Sequence, residues 1–302
     1  MSKSYSPIVI TTFTRLDLLK ELINSLKLNK ESIYSELYIF SDNYKYLKDK
    51  KAVESVRKYI DKLEGFKSIK IIKRSMNFTM AINVIDAINY VFLKHDSLIF
   101  LEEDISVSKF FLAYMNCALE FYYDNPTIMH VSAYKYPFKK TNTKKNYFFS
   151  RLPNTWGYGL WREKFMNNYV RDPDFYINSL SNKDIYEIDF HSTSFFWKQL
   201  IQNKKNINST FAIFWYLAIF YNNGLCLYPK ESLVCNNGVD GRGENIKNIT
   251  DQYSVEMSND ISFDFKDDQI TEDLDIFEAL KEYFKSHKPS IFDRLLVRIK
   301  NL

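Results

Sequence analysis

Between residues 7 and 122 the chain switches repeatedly between two periodicities. "PIVITTF" (7–13) is a short apolar run rich in β-branched residues, and beyond it Leu19, Leu22, Ile23 and Leu26 recur at the spacing of one helix face. "ELYIFSDN" (36–43) is followed by helical spacing on Val53, Val56, Ile60 and Leu63, and "KSIKIIKR" (67–74) by Ala81, Val84, Ile85, Ile88 and Phe92. "SLIFL" (97–101) then leads, past a group of acids, to Phe111, Met115, Ala118, Leu119 and Tyr122. Strands that alternate with helices need right-handed crossovers, which give a mainly parallel sheet covered on both faces. An α/β fold is therefore expected. Such sheets bind ligands beyond the carboxyl ends of their strands. Thr12, Arg15, Asp42, Asn43, Arg74, Asn77 and Glu102 to Asp104 each lie just past a strand end and are expected around one crevice. Neither GxGxxG nor GxxxxGK[ST] follows the first strand, so the usual dinucleotide and P-loop phosphate cradles are absent.

The second half is less regular. "KKTNTKKN" (139–146) reads as a basic, polar loop, "TWGYGLW" (155–161) as a Gly-spaced aromatic turn, and residues 221–245 as two short strands with turns. The polar stretch 246–270 reads as a surface excursion, and no internal repeat is present. The expected division is an α/β half at 1–134, a less regular half of the same domain at 135–245 and an extension at 246–302.

Composition excludes several classes. A chain of 302 residues with 46% hydrophobic content, 25 Phe and 22 Tyr carries too much buriable surface for a disordered protein. Forty-one basic and 37 acidic residues leave a net charge of +4, without the clustered excess expected of a nucleic-acid binder. Cys117, Cys226 and Cys235 are odd in number and lack metal-ligand spacing, and they read as reduced residues of a cytosolic protein. The longest apolar run, "FAIFWYLAIFY" (211–221), falls short of the ~20 residues of a spanning helix, and the N-terminus has no signal-peptide pattern. A cytoplasmic protein, soluble or peripheral on the inner face of the membrane, is expected.

Glu102, Glu103 and Asp104 stand together at the end of "SLIFL". Like charges packed together need solvent, a cation or a ligand to compensate them. Without a P-loop, such acids suit a hard cation, Mn²⁺ or Mg²⁺, held against a diphosphate. They equally suit the N-terminus of the following helix, which welcomes negative charge.

The segment "LIFLEEDISVSKFFLAYMNCALEFYYDNPTIMHVSAY" resembles the acidic-motif region of GT-A nucleotide-sugar glycosyltransferases, in particular the N-acetylglucosaminyltransferase I-like group and bacterial relatives that build surface polysaccharides. The likeness extends back to "PIVITTFTRLDLLKELINSL" and "LYIFSDN" and forward to "TWGYGLW" and "NNGLCLYPKESLVCNNGVDGRGEN", roughly residues 5–245. It implies a GT-A (Rossmann-like) sheet with an irregular acceptor-side half and C-terminal helices. It implies a nucleotide-diphosphate sugar donor, with a UDP-sugar favoured, and a glycan or lipid-linked acceptor in a bacterial surface polysaccharide. By the same resemblance Thr11 and Arg15 flank the nucleotide, Asp42 accepts a hydrogen bond from the base and Asn77 lies near the donor. Glu102 and Glu103 hold ribose or sugar hydroxyls, Asp104 contacts the metal, and Trp156, Gly157 and Trp161 shape the sugar pocket.

Three features depart from the family pattern. The motif reads Glu-Glu-Asp where relatives have Glu-Asp-Asp, "NFTMAIN" lacks their glycine, and Ser209 and Thr210 stand where relatives carry an acid before the Trp-containing helix. An inverting transferase needs a carboxylate to take the acceptor proton. Asp240, Glu244 and Asp189 are the replacements on offer, with His191 beside the last, and Asn245 occupies the place of a metal-contacting His. The alternative is a non-catalytic nucleotide-sugar-binding or glycan-binding partner of another transferase. The basic amphipathic tail "PSIFDRLLVRIKNL" (289–302) is read either as a membrane-surface helix or as one docked on the domain or in a homodimer.

Overall fold

The computed structural model describes residues 5–138, 145–238, 252–258, 264–266 and 270–287. Four strands, β1 (Ile8–Thr12), β2 (Glu36–Ser41), β3 (Ser68–Lys73) and β4 (Ser97–Glu102), are parallel and lie in the order β3-β2-β1-β4. Helices α1 (Leu16–Lys27), α2 (Lys50–Ile60) and α3 (Met80–Phe92) connect them, as the alternation of periods predicts. β1 is buried along its whole length because helices cover both sheet faces, which explains its unbroken apolar run. β3 is the edge, and its exposed Lys70 and Lys73 keep that edge from pairing further.

Beyond β4 the sheet takes in strands from the second half of the chain. β6 (Ile128–Ser132), β7 (Tyr147–Ser150), β8 (Tyr158–Trp161) and β9 (Leu225–Pro229) extend it in the order β4-β8-β6-β9-β7, giving eight strands among the described residues. β8 and β7 run against the other six. The aromatic turn expected at 155–161 is thus mostly a strand, wedged between β4 and β6 with all four residues buried.

Period-2 alternation along β1 sends Ile8 and Ile10 to one face and Val9 to the other, and two cores follow. The first face is covered by α1, α2 and α4 (Phe111–Phe121). The second carries α3, α5 (Arg162–Asn168), α6 (Pro173–Ser179), α7 (Asn182–Ile188), α8 (Phe196–Lys204), α9 (Ala212–Tyr221) and α10 (Leu274–Ser286). The run 211–221 is α9 with the residue before it, apolar all round because Ile213 to Ile219 are all buried. No helix among the described residues is long and apolar enough to cross a membrane.

Two further differences from the sequence reading stand out. The acids do not open a helix: Glu103 and Asp104 form a turn into β5 (Ile105–Val107), which pairs antiparallel with β10 (Val234–Asn236), and α4 begins only at Phe111. Their service as a helix cap is thereby excluded. The stretch 246–270 is exposed or half-buried where it is described except at Phe265, which is 8% exposed and packs against Tyr114, Tyr122 and Tyr147 at centroid separations of 5.4–5.9 Å. Its polar composition hid one aromatic anchor.

Candidate functional site

The carboxyl ends of β1, β2 and β4 open into a cleft of about 1330 Å³. One side is built from the β1–α1 loop, the β2–α2 loop, the start of α3 and the turn after β4; the other from the α7–α8 turn, α8 and the loop after it.

Glu103, 4% exposed, organises the first side. Its Oε2 accepts the Thr12 hydroxyl (2.5 Å) and the Phe13 N–H (2.6 Å), and its Oε1 accepts Arg15 Nε–H (2.9 Å). Three donors from one loop converge on one carboxylate, so Glu103 shapes the β1–α1 loop. Three of the roughly four acceptor positions of its carboxylate are thereby taken within the protein. Arg15 then reaches on, its Nη1 lying 2.9 Å from Asp104 Oδ2. One guanidinium therefore sits between two carboxylates, and Glu102 lines the cleft beside them.

Asp104 is 7% exposed, and its Oδ1 has no hydrogen-bond partner within the described residues. Burial pushes its carboxyl above the ordinary range, with Arg15 opposing the shift and Glu103 adding to it. Gly238 packs against it: a Cβ there would lie 2.1 Å from Asp104 Oδ2. No group of three His, Cys, Asp or Glu suited to a metal gathers among the described residues. What the site offers a hard cation is one buried, unpartnered carboxylate oxygen. That fits an ion held mainly by phosphate oxygens and water, as Mg²⁺ usually is, rather than one caged by protein.

Asp42 anchors the neighbouring loop. Its Oδ1 accepts the backbone N–H groups of Asn43 and Phe78, both at 2.8 Å, and its Oδ2 accepts Asn77 Nδ2–H at 3.2 Å. Burial raises its carboxyl despite these bonds. Asn77 also donates to Asn43 O at 2.7 Å, and Thr79 beside it adopts φ 64, rare for a β-branched residue. Asp42, Asn77 and Thr79 all line the cleft.

Of the expected site residues, Thr11, Arg15, Asp42, Asn77, Glu102, Glu103, Asp104 and Trp156 are brought together around the cleft. Arg74 and Asn43 are not on its lining. Arg74 instead pairs with Asp86 at 2.5 Å and donates to Asn83 at 2.9 Å, fastening α3 to the end of β3. Asp189 is also off the lining, its Oδ1 accepting Trp197 N–H (2.9 Å) at the start of α8. His191 is stacked on Tyr186 at 4.6 Å and lies 3.4 Å from Glu187. Trp161 donates to Leu119 O at 2.9 Å within the core, away from the cleft. Asp240, Glu244, Asn245 and the tail 289–302 lie outside the described residues.

Gly157 is not on the lining and packs against Val234, Phe111 and Leu101. At φ 73 it turns the chain into β8, and a Cβ there would meet Val234 Cγ1 at 2.9 Å. Left-handed backbone and overpacking together should make Gly157→Ala cost about 2–4 kcal/mol. Urea unfolding measures this, and a loss below about 1 kcal/mol would show that the turn relaxes.

Lys45, Tyr46 and Lys48 on the β2–α2 loop and Ser194 and Gln199 opposite them also line the cleft. Sequence reasoning missed both groups. The first was within reach of the strand-end rule, three to six residues past Asp42. The second follows no strand and carries no motif.

No protein-family model matches the chain, and no curated protein matches it. Solved structures with partial similarity include S. aureus TarS 1-349, at a TM-score of 0.37 and 14% identity over 54% of this chain and 49% of that one. S. aureus TarS matches at 0.37 and 14% over 54% and 29%, and TarS 1-349 in complex with UDP-GlcNAc at 0.38 and 13% over 54% and 47%. The chain therefore spans about half or less of the length of these proteins, and the likeness concerns part of the backbone arrangement alone.

Proposed function

We propose that this protein is a glycosyltransferase that moves a sugar from a nucleotide-diphosphate donor to a hydroxyl of a glycan or lipid-linked acceptor. The observation that carries the reading is the convergence, in one cleft, of polar groups from three separate strand ends: Arg15 after β1, Asp42 after β2 and Glu102 to Asp104 after β4. Ligands of open α/β sheets bind at this place. All the Asp, Glu, Lys and Arg residues of the described lining lie on this side, which suits a charged donor. The cleft also exceeds the roughly 300–1,000 Å³ of a pocket for one small ligand, leaving room for an acceptor.

In this reading Asp42 and Asn77 hold the nucleoside end, and Arg15, fixed by Glu103, neutralises negative charge near the diphosphate. Asp104, with Asn245, would hold Mn²⁺ or Mg²⁺, which when bound supplies charge stabilisation to the departing diphosphate. Inversion by direct displacement requires a base for the acceptor proton. Neither Ser209 nor Thr210 serves: Ser209 Oγ accepts from Arg171 (2.8 Å) and Thr210 Oγ1 from Asn203 (3.0 Å). Asp240 and Glu244 remain the proposed bases. A bacterial surface polysaccharide is the proposed destination of the sugar, with the tail 289–302 proposed to meet the membrane or a second copy of the chain. The uncharged lining at Ser209 and Thr210 favours one second reading, a donor-binding partner without turnover.

A thermal-shift panel of UDP-, GDP-, CDP- and dTDP-sugars with and without Mn²⁺ tests the proposal. One class at about 100-fold over its Kd should add about 2.7 kcal/mol, or roughly 5 °C. Asp104→Ala should abolish the Mn²⁺-dependent part. No shift with any nucleotide sugar would sink the reading, and binding without turnover would select the second one.

A further inference from the structure

The turn between α7 and α8 holds a conformation that its sequence resists. Phe190, His191 and Ser192 take φ values of 48, 56 and 63, three successive left-handed residues without a glycine. Each such residue is disfavoured by about 1–2 kcal/mol, and strain of this kind persists only where the surroundings impose it. Here they do. Phe190 is fully buried between Phe277 (4.9 Å) and Phe284 (5.2 Å), Ser194 N–H donates to Asp189 O (3.0 Å), and the Thr193 hydroxyl donates to Phe190 O (2.7 Å).

The turn delivers Ser194 to the cleft in an unusual state. Ser194 is 7% exposed, lines the cleft, and its Oγ has no hydrogen-bond partner within the described residues. A buried hydroxyl left without a partner is costly, and native proteins keep few of them. Phe195, 40% exposed, follows directly, and Gln199 lies on the same wall one turn into α8. Trp156 and Tyr253, packed edge to face at 5.1 Å, line the same cleft. From 193 to 210 the lining contains no Asp, Glu, Lys or Arg. Lys198 Nζ lies over the Phe195 ring at 5.9 Å and Arg171 is engaged with Ser209 at 2.8 Å, and neither lines the cleft.

We propose that the strained α7–α8 turn forms an acceptor subsite for an uncharged, hydroxyl-rich saccharide, with Ser194 Oγ bonding a sugar hydroxyl and Phe195 and Trp156 offering apolar faces to the ring. This rests on the transferase reading above and names its acceptor class. Exposed aromatic faces beside one or two placed polar groups are what a sugar requires, since its ring carries apolar C–H faces and a hydroxyl rim. A polyol phosphate or other anionic acceptor would meet no Lys or Arg on the described lining of this wall, since Lys198 lies over the Phe195 ring and off the lining.

The test uses the full chain and saturation-transfer NMR with neutral methyl glycosides (gluco, galacto and N-acetylglucosamino) and, as the anionic probe, glycerol 3-phosphate. At least one glycoside should bind, and Ser194→Ala should weaken it about fivefold, the equivalent of one hydrogen bond. Gln199→Ala should weaken it as well, with nucleotide-sugar binding within twofold of wild type in both variants. Absence of glycoside binding, binding untouched by either variant, or tighter binding of glycerol 3-phosphate would overturn the proposal. Glycoside binding that depends on Ser194 in a protein that binds no nucleotide sugar would sustain the subsite and overturn the transferase reading.

Discussion

Arg15→Ala should lower stability by about 3–5 kcal/mol and weaken donor binding with it, the largest effect expected of any single change in the cleft. Glu103 and Asp104 are 4% and 7% exposed, and one guanidinium faces both, with Nε 2.9 Å from Glu103 and Nη1 2.9 Å from Asp104. Truncation leaves two buried like charges without their cation, and it also removes one of the three donors that hold the β1–α1 loop. The response to pH identifies the cause. In the variant a carboxyl with a strongly raised folded pKa binds a proton that the unfolded chain does not. Stability should therefore recover as pH falls from 7.5 toward about 5. Arg15→Lys restores a charge but not the two-pronged reach, and should recover only part of the loss. Urea unfolding at both pH values checks this. A pH-independent loss below about 1 kcal/mol would show that the acids are solvated and the cluster is not a buried unit.

His130 should dominate the acid limb of stability. It is fully buried on β6, stacked on Tyr158 at a centroid separation of 5.4 Å. Trp215 Nε1–H can only donate, and it lies 3.2 Å from His130 Nδ1, so the ring proton resides on Nε2 and bonds Asn154 O at 3.0 Å. Protonation would set two donors against each other. Burial holds the imidazole neutral, its pKa lowered to about 3, with the bond to Asn154 opposing the shift only in part. The unfolded chain takes up that proton near 6.5, so between those values the unfolded state binds more protons and stability falls as pH falls. The contribution is complete above about pH 6.5 and gone near pH 3, a loss on the order of 5 kcal/mol. His130→Gln keeps an acceptor and a donor without titrating. Its stability should be lower at pH 7 but markedly less dependent on pH between 6.5 and 4. An unchanged slope would assign the acid limb to carboxylates instead.

The residues of the cleft's charged side were legible because each stands just past a strand whose apolar run is visible locally. Thr12, Arg15, Asp42, Asn77 and Glu102 to Asp104 needed only the order of strands and the rule that parallel strands deliver their ends together. The same rule overreached at Arg74, whose long side chain turns back to Asp86 and Asn83 instead of lining the cleft. No local pattern marks such a choice, because it depends on which partner the helix presents.

The sequence by itself settled the alternation of β1 to β4 with α1 to α3, since periods of 2 and 3.6 are properties of neighbouring residues. Only the tertiary structure decided that Tyr158 to Trp161 would enter the sheet against β4, that the acids would turn into β5, and that Ser194 would reach the cleft on a left-handed turn. Those outcomes follow from pairing and packing between segments far apart in the chain. A strand buried on both faces has no alternation to betray it, and a strained turn is held by side chains such as Phe277 that lie 87 positions beyond Phe190.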